Sequence, residues 1–241
     1  MIATIFALFY GDHHALHARL LNSLKQFGPE QDVRYRFWFN QVCDKTKKLV
    51  ANLMLGRDMR IRESEENVRK YLVMREMFEA DRQTESQPEW IIWFDDDSYV
   101  TRPDWWTTTL QYIEKKRDEN ICYIGQSWFV HHLKGQMDFI KEAAWYKGVP
   151  WEMCPTKQPG VRKPGVTFAQ GSYWWLRRDI RDALDWPDPR IGHNGGDTLL
   201  GEAIRQQGLP FHKYHYGVKL NNAPRRGLSE VPAGSQENVR R

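Results

Sequence analysis

The segment Trp90-Ile91-Ile92-Trp93-Phe94-Asp95-Asp96-Asp97-Ser98 constrains this chain more than any other stretch. An unbroken apolar run with neither helical nor alternating period suits a strand covered on both faces, as in the middle of a mainly parallel sheet. Consecutive carboxylates at its end repel one another, and burial beside them raises the cost, so a cation or a network of donors has to compensate. In an extended chain alternate side chains share a face, which puts Asp95 and Asp97 on one side and Asp96 on the other. A hard divalent ion, Mn2+ or Mg2+, favours oxygen ligands and can bridge a diphosphate. The bland alternative is a solvated polar turn, which the apolar run just before it disfavours.

The remaining pattern builds a sheet around that strand. Ala3 to Phe9 is an apolar run stopped by Gly11-Asp12 and reads as a first buried strand. Leu16, Leu20, Leu21, Leu24 and Phe27 mark a helix over 15–27, ended by Gly28-Pro29, and Arg34 to Asn40 reads as a second strand. A helix is predicted from Ser64, its N-cap, through Phe78. After the central strand come a helix opened by Pro103 and Asp104 and running to Lys116, then a strand over Ile121 to Gly125. This alternation predicts one α/β domain, for which 241 residues suffice. Ser127 to Gly165 reads as an irregular active-site insertion. Val166 to Arg178 returns to the sheet, Asp197 to Gln207 forms a helix closed by Gly208, and Phe211 to His215 is a last short strand. The domain is expected over residues 1–222, followed by a mobile tail over 223–241.

Composition bounds the partners. Cys43, Cys122 and Cys154 are widely spaced and lack zinc or redox spacing, which favours a reducing, cytoplasmic setting. Met1 to Tyr10 is short, apolar and without a basic flank, so no signal peptide is expected; neither is a membrane span or an obligate protein partner. A formal charge of +4 is compatible with a phosphate-bearing partner or with an ordinary solvated surface. The 11 Trp, 10 Tyr and 11 Phe exceed ordinary usage and suit stacking on rings. No glycine fingerprint of the Rossmann or P-loop kind is present, which argues against a dehydrogenase or a kinase.

Phe94-Asp95-Asp96-Asp97-Ser98-Tyr99-Val100 resembles the Asp-Asp-Asp-Thr-Tyr-Val segment of fringe-like and β-1,3-glycosyltransferases with a GT-A fold. Three later segments resemble the same families in order. They are Phe168-Ala169-Gln170-Gly171-Ser172-Tyr173-Trp174-Trp175-Leu176, Gly195-Gly196-Asp197-Thr198-Leu199-Leu200-Gly201, and His215-Tyr216-Gly217-Val218-Lys219. The resemblance implies a single-domain GT-A-like fold with a mainly parallel sheet flanked by helices. It implies Asp95, Asp97 and His215 as ligands of Mn2+ or Mg2+, Asp96 on ribose or sugar, and Lys219 on the diphosphate of a UDP-sugar. Tyr10 and Asp12 would line the base and ribose pocket, with Asn67, Lys70 or Arg75 approaching the nucleotide. Gln170, Gly171, Ser172, Trp174, Trp175 and Gly196 would border the sugar or acceptor, and Asp197 would be the catalytic base. Gly196 departs from the pattern, since many relatives carry a second acid there. Strand alternation suggests that one of Trp174 and Trp175 is core and the other exposed.

These features predict transfer of a hexose from a UDP-sugar to an acceptor hydroxyl; the inversion rests on the resemblance alone. The resemblance extends to phage-type transferases that glycosylate hydroxymethylated DNA bases, which makes DNA a candidate acceptor. Trp128, Trp145, Trp151, Trp174 and Trp175 are candidates for stacking, and Arg177, Arg178, Arg181, Arg225 and Arg226 for phosphate contacts. A glycan or protein acceptor is the alternative. The same carboxylates would also serve a metal-dependent nuclease or phosphatase, and the tryptophans a carbohydrate-binding module.

Overall fold

The computed structural model describes residues 1–84, 87–131, 137–191 and 195–220. Four parallel strands form one half of its main sheet: β1 (Ala3–Tyr10), β2 (Val33–Asn40), β3 (Met59–Ser64) and β4 (Trp90–Asp95). β1 lies between β2 and β4, and β3 forms the outer edge. In the other half β8 (Arg162–Arg177) runs antiparallel to β4, β6 (Tyr123–His131) runs antiparallel to β8, and β9 (Phe211–Lys213) closes the sheet parallel to β6. β7 (Glu152–Pro155) pairs with the start of β8. The mostly parallel sheet predicted from the sequence is therefore present, with β8 as its reversed strand.

Helices cover both faces because successive side chains of the central strands point to opposite sides. Ile5, Ala7 and Phe9 of β1 pack in one core with Leu20, Leu21 and Leu24 of α1 (His14–Phe27) and with Trp105 of α4 (Trp105–Lys115). Phe6 and Leu8 pack in the other, against Val73, Met74, Met77 and Phe78 of α3 (Lys70–Arg82) and Leu199, Leu200 and Ala203 of α7 (Gly196–Gln206). Trp93 of β4 stacks on Trp174 of β8 within that second core, ring centres 6.1 Å apart. Burying each such side chain stabilises the fold by roughly 1.5–3 kcal/mol.

Several expectations need correction. Ser64 does not cap a helix: it ends β3, paired with Asn40, and α3 begins at Lys70. Neither β3 nor α2 (Asp44–Leu53) was expected. β3 is an edge strand whose exposed Arg60 and Arg62 mask its alternation. The stretch from Ser127 is not an irregular insertion, since β6 runs on to His131, α5 (Met137–Glu142) and β7 follow, and β8 starts at Arg162. Trp174 and Trp175 are both buried at 0% exposure, because β8 is an inner strand and both of its faces are covered. The expected mobile tail over 223–241, with Arg225 and Arg226, lies outside the described residues. No described helix is long and apolar enough to cross a membrane.

Candidate active site

The C-terminal ends of β1, β2 and β4 meet at one edge of the sheet, where parallel strands leave a crevice. Asn40, at the end of β2, donates to Val68 O at 2.6 Å and accepts from Val68 N at 2.9 Å, which fixes the approach to α3. Asn67 is held there, its amide 3.4 Å from the Tyr10 hydroxyl. Tyr10 and Asn67 therefore share one wall, while Asp12 is exposed just beyond.

β4 ends at Asp95, so Asp96 and Asp97 lie in the turn that follows and the three aspartates have different surroundings. Asp95 accepts from Lys70 Nζ at 2.8 Å on one oxygen and from Trp93 Nε1 at 2.8 Å on the other. Asp96 turns inward with 0% exposure and accepts from Tyr10 N at 3.1 Å, with His17 Nε2 at 3.0 Å from the same oxygen. Its expected contact with ribose or sugar is replaced by a role in tying β4 to β1 and α1. Asp97 is partly buried, with Arg19 Nη2 3.4 Å from its carbonyl. Ser98 Oγ closes the turn, donating to Asp95 O at 2.7 Å and placed 2.9 Å from Ser172 O.

β8 contributes by leaving its ladder. Gly125 of β6 pairs with Trp174 and Ser127 with Ala169, so the stretch from Gln170 to Tyr173 bulges away from β6. The bulge brings Gly171 O to 3.2 Å from Lys70 Nζ. A Cβ on Gly171 would stand 1.9 Å from Asp197 Oδ2, so only glycine permits this approach. Ser172 is buried, and Gln170 is half-buried.

Asp197 lies in the first turn of α7 and is held by Tyr71, whose hydroxyl donates to Oδ1 at 2.8 Å and accepts from Asp197 N at 3.0 Å. Burial pushes the Asp197 pKa above the usual carboxylate range, opposed by Lys70, assisted by Asp95 and opposed by the Tyr71 hydrogen bond. A raised pKa suits a group that must take up a proton. The departure at Gly196 has a steric cause: a Cβ there would stand 2.2 Å from the Tyr71 ring. Tyr71 occupies the space of a second acid, and Gly196 itself is buried.

Lys70 is the centre of the group. Burial works against its charged form, but Asp95, Asp197 and Asp97 outweigh it and lift its pKa above the ordinary lysine value. Arg75 is not part of the group. Five residues further along α3, roughly 7.5 Å on and turned to another face, it binds Asp185 O at 3.2 Å and Pro187 O at 2.8 Å.

The C-terminal segment approaches from the other side. β10 (Val218–Lys219) pairs with β5 (Tyr99–Val100), with Lys219 opposite Tyr99, and both Lys219 and His215 are exposed. The proposed ligand set does not assemble: among the described residues no group of three His, Cys, Asp or Glu side chains is positioned to hold a metal ion. Both oxygens of Asp95 are already engaged by Lys70 and Trp93. The expected ligand set of Asp95, Asp97 and His215 is therefore not brought together among the described residues.

Of the aromatic candidates, Trp145, Trp174 and Trp175 are buried, Trp151 is half-buried, and Trp128 is 51% exposed with Phe129 beside it at 41%. The described arginine candidates, Arg177, Arg178 and Arg181, are likewise engaged. Arg177 pairs with Trp90 at the start of β4, roughly 17 Å from the acidic end at 3.3 Å per residue. Arg178 and Arg181 have exposures of 6% and 1% and are tied to Asp81 and Glu79. Sequence reasoning missed Tyr71, Arg19, His17 and Trp93. Gly196 was the one trace of Tyr71, as a gap that only the fold explains.

No protein-family model matches the sequence, and no curated protein matches it. Solved structures share the fold. A mannosyltransferase, PcManGT from Pyrobaculum calidifontis in complex with GDP-Man and Mn2+, superposes with a TM-score of 0.61 at 14% identity, covering 93% of this chain and 58% of that one. TarS from S. aureus superposes at 0.54 with 13% identity over 84% of this chain and 33% of TarS. A TarS structure in complex with UDP-GlcNAc gives 0.53 at 14% identity, over 84% and 53%. This chain thus spans between a third and about three fifths of the chains it matches. Its α/β fold is that of GT-A-like proteins.

Proposed function

We propose that this GT-A-like chain is a nucleotide-sugar-dependent glycosyltransferase that moves a hexose onto an acceptor hydroxyl with inversion, and that Asp197 is its base. The observation that carries the reading is the convergence of Asp95, Lys70, Gly171 and Asp197 beside the wall formed by Tyr10 and Asn67. The nucleotide lies along Tyr10, Asp12 and Asn67, a UDP-sugar by the motif resemblance. Neighbours of the same fold were solved with GDP-Man and with UDP-GlcNAc, which supports a nucleotide-sugar donor in general.

In the reaction Asp197 accepts the proton of the acceptor hydroxyl while that oxygen attacks the anomeric carbon. The bond from that carbon to the diphosphate breaks, and its electron pair leaves on the nucleoside diphosphate. Tyr71 orients the carboxylate, and Gly171 leaves the room beside β8 that the carboxylate occupies. Trp128 stacks on a ring of the acceptor: its partner Phe168 lies three residues before Gly171, roughly 10 Å along the strand.

The acceptor reading favoured here is a ring-bearing glycan. Hydroxymethylated DNA remains the finer alternative, but Arg178 and Arg181, proposed for its phosphates, are buried in ion pairs. Mass spectrometry of oligosaccharide and DNA acceptors, incubated with a panel of UDP- and GDP-sugars, tests both. A hexose mass gain on either class assigns the acceptor, and NMR of the product anomer tests inversion. Cleavage of nucleic acid or phosphoesters with no nucleotide-sugar turnover would replace the reading with a hydrolase.

A further inference from the structure

Adjacent carboxylates demand compensation, and here the chain supplies it from its own side chains. Lys70 sits 2.8 Å from Asp95 and 3.2 Å from Gly171 O, bridging the acidic strand end and the bulge that faces Asp197. Trp93 satisfies the second oxygen of Asp95, His17 and Tyr10 N serve Asp96, and Tyr71 serves Asp197. Two further cations flank the turn at Tyr99. Arg19 stacks 4.5 Å over the Tyr99 ring and has a buried Nε for which no described residue provides a hydrogen-bond partner. Lys219 stands opposite Tyr99 in the β5–β10 ladder. Lys70 thus faces Asp95, Asp97 and Asp197, and Arg19 reaches the Asp97 carbonyl at 3.4 Å.

A divalent ion entering between Asp95 and Asp97 would have to displace Lys70 from a partly buried ion pair, or accept an ammonium beside its own ligand; like charges so close oppose its binding. An ammonium carries three donors. Two of those on Lys70 are used, by Asp95 and Gly171 O, and its side chain retains 12% exposure. We propose that Lys70 acts as the fixed cation of this site, so that the donor diphosphate is bound and its departure assisted without a divalent ion, with Arg19 and Lys219 completing the cationic rim. The inference rests on the glycosyltransferase reading. In the transfer step the third Lys70 donor meets the diphosphate oxygen that receives the electron pair, while the acceptor proton ends on Asp197.

Calorimetric titration of the whole chain with UDP and with GDP, first in EDTA and then in Mn2+, tests it. The expected result is binding of at least one nucleotide with a Kd in EDTA within threefold of that in Mn2+. Lys70→Met is expected to weaken binding in EDTA at least tenfold and to recover part of it in Mn2+. The same variant should take up Mn2+ more tightly than wild type, seen by electron paramagnetic resonance as loss of the free-ion signal. Lys70→Arg, which keeps the charge, should bind nucleotide in EDTA better than Lys70→Met. Wild-type binding that vanishes in EDTA and returns with Mn2+ overturns the inference and leaves the glycosyltransferase reading standing. Binding of neither nucleotide under either condition removes both. Should Lys70→Met fail to fold, the wild-type comparison still decides.

Discussion

The molecule buries ionised groups at two ends of the same sheet, and the two ends treat them differently. At the start of the strands Asp81 is fully enclosed and meets Arg36 Nε at 3.1 Å, Arg178 Nη2 at 2.8 Å and Arg34 Nη1 at 3.6 Å, while the Thr4 hydroxyl donates to it at 2.9 Å. Three cations surround one acid, each guanidinium buried and bonded. A cavity of about 610 Å³ opens at that end, lined by Arg82, Pro88, Glu89, Arg177, Arg178 and Asp179. Its arginines are committed to neighbours such as Asp179, Asp81 and Pro88 O. At the other end Lys70 lies among three acids, and Asp95 keeps 20% exposure. A saturated charge cluster holds a fold together; an unsaturated, accessible one is where a charged ligand changes the balance.

The largest expected effect separates chemistry from stability at the acidic end. Asp197→Asn should lower kcat for nucleotide-sugar turnover about 10³-fold, within the 10²–10⁴ range of a lost general base, with little change in melting temperature. The counterpart is Asp81→Ala, which removes the one fully buried acid that three buried guanidiniums share and should cost about 3–5 kcal/mol in urea unfolding. Whatever folds should turn over normally. If Asp81→Ala lowers kcat without lowering stability, the division between the two ends fails.

A smaller effect tests the electrostatics of the base. The Tyr71 hydrogen bond holds the Asp197 pKa down against burial. Tyr71→Phe should therefore raise that pKa further, leaving less ionised base at a given pH and moving the acidic limb of the kcat profile to higher pH. On the acidic limb kcat should fall about tenfold, on the scale of 1.4 kcal/mol. An unmoved acidic limb would separate Tyr71 from the base. The smallest effect belongs to the acceptor platform: Trp128→Ala should raise the acceptor KM about fivefold, near 1 kcal/mol for a lost ring stack, and leave donor affinity unchanged.

How much of this was legible in the sequence follows the same division. β1, β2, β4 and α1 were readable because long apolar runs and a 3.6-residue period are local signals. β3 and α2 escaped, since an exposed edge strand and a polar helix with few buried residues carry little of either. The cost of adjacent acids demanded a cation or a network of donors, and Asp95 has both in Lys70 and Trp93. That the counter-charge is Lys70 was not readable, because the pairing depends on α3 starting at residue 70 and not at Ser64. Arg178 and Arg181 looked like surface cations because sequence cannot distinguish a solvated arginine from one paired in the core.

The measurement closest to the central claim sets binding against turnover in a single variant. With the donor that wild type hydrolyses or transfers fastest, release of nucleoside diphosphate is followed for wild type and Asp197→Asn while donor affinity is measured by calorimetry. The account expects release to fall about 10³-fold with donor affinity within threefold of wild type. Release unchanged in Asp197→Asn, or no nucleotide sugar bound by wild type at all, would contradict it.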